Sequence, residues 1–146
     1  MSDTDEFSII PLEHKHTAQI ERWPSRHSAA SALLKTPVIT AGPSPDNYGW
    51  VAVNGDEVLA VATVRLNQER VGYLNCIVKP SSKRKGLTNS LIAHILNQAP
   101  VKDIVHLHAA VEPANTAARQ ALKEHGFTMV GNDQNGYLEY ARHKHY

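Results

Sequence analysis

Between Gly72 and Val111 the chain passes through strand, loop, helix and strand patterns in quick succession, and few folds accept that order. Gly72–Val78 is almost wholly apolar, as in a strand buried on both faces. Leu87, Leu91, Ile92, Ile95 and Leu96 then recur at helical spacing, which predicts a helix over Leu87–Leu96 ended by Pro100. Ile104–Val111 returns to a strand pattern. Strand, helix, strand within roughly 40 residues is a βαβ crossover, and such connections are right-handed.

The flanks fit around this unit. Phe7–Leu12 reads as a strand with Pro11 at its edge. His16–Trp23 reads as a short helix stopped by Pro24, and Ser28–Lys35 as a second one. Pro37, Gly42, Pro43 and Pro45 make Thr36–Asn47 a loop. Trp50–Val53 and Val58–Leu66 form a hairpin, with Asn54–Gly55 as a type I′ pair at positive φ. Asn115–His125 carries an apolar stripe of Ala117, Ala118, Ala121 and Leu122, and Gly126 caps it. Thr128–Val130 and Tyr137–Ala141 close the chain as a hairpin. The predicted class is α/β, in the order β-α-α-β-β-β-α-β-α-β-β. It has a mixed, mostly antiparallel sheet of about seven strands with helices on both faces.

Composition narrows the function. A chain of 146 residues, 42% of them hydrophobic, suits a single domain, 1–146, with the acidic start Met1–Glu6 frayed. A net charge of +1 argues against nucleic acid or a membrane surface as partner. No stretch approaches the roughly 18 apolar residues of a membrane span, and the single cysteine, Cys76, suits a reducing compartment. A cytoplasmic location is expected. The nine histidines show no metal-binding spacing: His14-Lys15-His16 and His143-Lys144-His145 interleave lysines that repel a cation. No metal is expected.

Val78-Lys79-Pro80-Ser81-Ser82-Lys83-Arg84-Lys85-Gly86-Leu87-Thr88 leaves a buried strand and enters a helix. A helix N-terminus presents unpaired N–H groups and partial positive charge. Gly86 permits close approach of the backbone, and Lys83, Arg84 and Lys85 add charge at the same point. Together these make an anion site, although a basic turn before a helix has the same look.

A second segment bears on that choice. Asn115-Thr116-Ala117-Ala118-Arg119-Gln120-Ala121-Leu122-Lys123-Glu124-His125-Gly126-Phe127 follows directly on the strand ending Val111-Glu112-Pro113. Here the chain resembles the GNAT superfamily of acyl-CoA-dependent N-acyltransferases. That family's loop runs close to V-x-P-x-x-(R/Q)-x-x-G-x-(G/A), and its last long helix close to N-x-x-A-x-x-x-(Y)-x-x-x-G-F. The resemblance covers Trp50–Tyr140.

It implies acetyl-CoA as cosubstrate. Backbone groups of Ile77 and Val78 would pair with the pantetheine arm like an added strand. Backbone N–H groups from Lys83, Arg84, Lys85, Gly86, Leu87 and Thr88 would cradle the pyrophosphate, and Asn115 would bond the pantetheine while also serving as an N-cap. The chain departs from the pattern at Lys83, where Arg or Gln is usual, at Arg84, where Gly is common, and at Thr88, where Gly or Ala is usual. Leu122 stands where many members carry a tyrosine that protonates the departing thiolate.

The implied reaction is direct attack of a neutral amine on the thioester. It needs positioning, an oxyanion donor near Ile77 or Val78, and a proton acceptor. His106, His108 and Ala110 share one strand face, and His108 is the candidate base with His106 behind it. Tyr137 and Tyr140 are candidates for acids toward the acceptor side, although a strand tyrosine is more often packing. The acceptor is a primary amine on a small molecule or peptide, set against Trp23, Tyr48 and Trp50. A homodimer is left open. Two readings remain: an active N-acetyltransferase, and a degenerate acyl-CoA-binding sensor or interaction module. A nucleotide-binding protein of another class would need GK(S/T) or GxGxxG, and neither is present.

Overall fold

The computed structural model describes residues 7–22, 47–79, 86–132, 134 and 136–143. The element order is β1 (Ser8–Pro11), α1 (His14–Glu21), β2 (Asn47–Asn54), β3 (Glu57–Leu66), β4 (Val71–Val78), α2 (Leu87–Leu96), α3 (Ala99–Lys102), β5 (His106–Val111), α4 (Thr116–Glu124), β6 (Thr128–Asn132) and β7 (Leu138–His143). Seven strands form one sheet in the order β1-β2-β3-β4-β5-β7-β6. Among the described residues only β4 and β5 pair in parallel. The expected α/β class, the strand number and the crossover stand. The expected helix at Ser28–Lys35, and the stops at Trp23 and Pro24, lie outside the described residues.

Strand alternation sends side chains to two cores. On one face Trp50, Ala52, Ala60, Ala62, Val64 and Leu74 meet Leu91, Ile92 and Ile95 of α2, with Ala121 and Leu122 of α4. On the other, Val51, Val53, Val58 and Val61 meet Leu12 and Ile20 of α1. Helices therefore cover both faces, as the apolar β3 requires.

Helix α1 starts at His14, two residues earlier than expected. Glu13 and His16 cap it reciprocally: the Glu13 N–H donates to His16 Nδ1 at 2.9 Å. Burial holds the pKa of His16 below its ordinary value, which favours the neutral ring that this bond requires. Gln19 then locks the helix to the β2–β3 hairpin. Its amide donates to Asp56 O at 2.6 Å and accepts from the Val58 N–H at 2.9 Å.

The hairpin turn differs from the expected one. Asn54 pairs with Glu57, so the two loop residues are Gly55 and Asp56. Positive φ occurs at Gly55 (+59°) and not at Asn54, which fits a turn needing it at the first central position alone. A register shift between Ala52 and Val53 brings Val53 opposite Val58. A loop at Asn54–Gly55 would set Asp56 opposite Val53 and drive a carboxylate into the apolar face.

Pro100 is the other correction. Helix α2 ends at Leu96, followed by Asn97 as C-cap, and Pro100 falls in the first turn of α3. There its missing N–H breaks no intrahelical bond.

Candidate functional site

The site grows from a difference in strand length. Parallel pairing between β4 and β5 begins at Val71–His106 and ends at Leu74–Ala109. Both strands continue, β4 to Val78 and β5 to Val111, each paired among the described residues on its outer side alone, by β3 and β7. Four residues of β4, Asn75–Val78, thus turn a backbone edge toward a gap that widens from the Leu74–Ala109 rung. Unpaired backbone groups invite an extended ligand to complete the sheet.

The gap opens toward the start of α2. Gly86, the N-cap, adopts a left-handed conformation (φ +75°) that favours glycine, and a Cβ there would meet nothing within 4 Å. No side chain caps this end among the described residues, so the first N–H groups of α2 are available to an anion. Leu87 and Thr88 are buried, so any contact from them to a ligand comes through the backbone. Lys83, Arg84 and Lys85 lie outside the described residues. Lys79 is tied across the sheet to Glu57 at 2.8 Å.

Asn115 stands at the other wall. Its Oδ1 accepts from the Ala118 N–H at 3.2 Å, which makes it the N-cap of α4. Ile77 and Val78 point to opposite cores, Ile77 to the α1 side and Val78 to the α2 side.

At the closed end of the gap, the α1 face of the sheet carries a cross-strand row. The Arg65 guanidinium lies 5.5 Å from the Tyr73 ring centre, and the Tyr73 ring lies 5.7 Å from that of His108. His108 is half-buried, one residue short of the last β4–β5 rung. His106 turns elsewhere: its Nδ1 sits 2.6 Å from Nδ1 of His143, with the rings edge to face.

Two arrangements were not read from the sequence. Glu139 is exposed and pairs with Ala110, so its side chain shares the His108 face, on the strand beyond β5 from the gap. Alternation along Leu138-Glu139-Tyr140 carries this signal, but only once β7 is known to lie beside β5. Tyr140, expected toward the acceptor, faces the opposite way. It is 2% exposed in the α2–α4 core, and its hydroxyl accepts from Arg119 Nε at 3.3 Å.

Cys76 packs against the same core, and burial pushes its thiol up to about 12. A thiol held protonated is a poor nucleophile, so no acyl-cysteine is expected. Among the described residues, no helix is long and apolar enough to cross a membrane.

The fold recurs widely. The acetyltransferase of GNAT family from Streptococcus pneumoniae superposes with a TM-score of 0.69 at 16% identity, over 95% of this chain and 100% of the other. The PaiA N-acetyltransferase from Thermoplasma acidophilum, in complex with coenzyme A, gives 0.72 at 11% identity, over 95% and 99%. The ribosomal-protein-S18-alanine N-acetyltransferase from Escherichia coli gives 0.69 at 16% identity, over 94% of each. No curated protein matches in sequence. The model of the acetyltransferase (GNAT) family matches residues 12–127. With the split strands and the Asn115 helix start inside that span, the chain belongs to the GNAT acetyltransferase family.

Proposed function

We propose that this protein transfers an acetyl group from acetyl-CoA to a primary amine of a small molecule or peptide by direct attack, in the cytoplasm. The observation that carries the reading is the gap between β4 and β5, running from the Leu74–Ala109 rung toward the N-terminus of α2, which no side chain caps among the described residues. Coenzyme A in the Thermoplasma neighbour supports the same ligand here.

In this reading Ile77 and Val78 hold the pantetheine arm through their backbone, and Asn115 bonds it from the far wall. N–H groups of Gly86, Leu87 and Thr88, with Lys83, Arg84 and Lys85, hold the pyrophosphate. An N–H of Ile77 or Val78 faces the oxyanion. His108 takes the proton of the attacking amine. The amine lies over the α1 face beside Tyr73, because the α2 face is filled by core.

Calorimetry with acetyl-CoA tests the cofactor assignment: binding is expected. Lys83→Ala with Arg84→Ala should weaken it about tenfold, the loss of about 1.4 kcal/mol of charge-assisted contact. Unchanged affinity removes the loop from the site. Thiol release against an amine panel then tests turnover. His108→Ala should slow it about a hundredfold and abolish the low-pH limb of the rate profile. An unaltered profile removes His108 as base and turns attention to Glu139. The sensor reading has one observation in its favour, the buried Leu122 in place of a phenol. Binding without thiol release for any amine would establish it.

A further inference from the structure

Collapse of the tetrahedral adduct breaks the carbon–sulfur bond and leaves a thiolate that must gain a proton. Leu122, 1% exposed on the sheet-facing side of α4, has none to give. The same packed face holds a phenol. Tyr140 pairs with Ala109, the β5 residue of the last β4–β5 rung, so its ring stands beside the point where the gap begins. Cys76 and Val78 of β4 and Val111 of β5 border the same core along the gap.

The hydrogen bonding of Tyr140 is directional. Arg119, on the first turn of α4, donates its Nε–H to the hydroxyl oxygen at 3.3 Å and its Nη1–H to Pro113 O at 2.9 Å. The oxygen is thus an acceptor in its pairing with Arg119, and the guanidinium has no acceptor for the phenolic hydrogen. That hydrogen is left to point away from Arg119.

We infer that Tyr140, positioned by Arg119, is the catalytic acid that protonates the departing thiolate. This rests on the acetyl-CoA reading above. The balance closes: the amine nitrogen loses one proton to the base, the sulfur gains one from Tyr140, and water returns one from the base to the phenolate. Arg119 is the positioning residue.

The test uses free CoA and needs no acceptor. The affinities of the full-length protein for CoA and for desulfo-CoA, which lacks the thiol, are measured by calorimetry from about pH 7 to about pH 9. A phenol that donates to sulfur favours the thiolate, so the CoA/desulfo-CoA ratio should rise several-fold with pH. In Tyr140→Phe, which keeps the ring and its packing, the ratio should stay flat. Equal ratios in the two proteins, with both ligands bound, overturn the inference and leave the acetyl-CoA reading standing. Absence of CoA binding by the unaltered protein overturns both. Once an acceptor is known, Tyr140→Phe should lower kcat about a hundredfold at constant KM for acetyl-CoA. Unchanged kcat would confine Tyr140 to packing.

Discussion

Leu122→Ala should lower the unfolding free energy by about 2–5 kcal/mol, read as a fall in the urea midpoint at constant slope. The side chain is buried where α4 meets the sheet, and its carbonyl also accepts the Phe127 N–H at 2.9 Å as the chain leaves the helix. Truncation removes apolar contact and leaves a void that neighbouring β-sheet residues cannot close. Leu122→Met, of similar volume, should cost less than about 1.5 kcal/mol. A loss under about 1 kcal/mol for alanine would mean that α4 does not seat as described. The site depends on that seat, because α4 sets both Asn115 at its start and Arg119 one turn on.

Cys76 should react with a maleimide at pH 7.5 about a thousandfold more slowly in the folded protein than in urea. Burial pushes its thiol up to about 12, so far less of it is thiolate at pH 7.5 than in an exposed cysteine. Only the thiolate reacts. The expected trace is a single slow phase when native and complete labelling on unfolding. Labelling at the free-thiol rate would place the sulfur in solvent and reopen the question of an acyl-cysteine. The prediction separates two chemistries, since an enzyme that acylates a cysteine must keep it ionisable.

Local signals in this chain were strong where one pattern had one outcome. Leu87–Leu96 reads identically in sequence and structure because five apolar residues at helical spacing have no competing use. Asn115 was legible as a helix start for the same reason: an amide before an alanine stripe has a cap to make. Asn54–Gly55 misled because the turn is chosen by what the strands must bury. Val53 opposite Val58 outweighs the local preference of the asparagine. Pro100 misled because proline suits the start of a helix as well as following its end.

The site was legible in parts but not as an assembly. The glycine and the basic run before α2 read as an anion site or as a basic turn, and Lys83, Arg84 and Lys85 lie outside the described residues. The gap itself carries no sequence signal, because it arises from where pairing stops between strands some 35 residues apart. Glu139, and the surroundings of Tyr140, stayed hidden for a related reason. Their faces follow from alternation, but their neighbours follow from β7 returning beside β5.

In the proposed reading, the split between β4 and β5 also acts as a filter on what can enter. A sheet's outer edge can recruit any passing strand, including one from a second protein, and so invites aggregation. The edge at Asn75–Val78 is internal, closed at one end by the Leu74–Ala109 rung and walled by β5 along its length. A peptide strand brings side chains on both faces and would foul both cores at once. A slender chain that carries amides but no branches at every second position passes between them. The fold thereby keeps the hydrogen-bonding appetite of a bare strand while sparing the molecule its usual hazard.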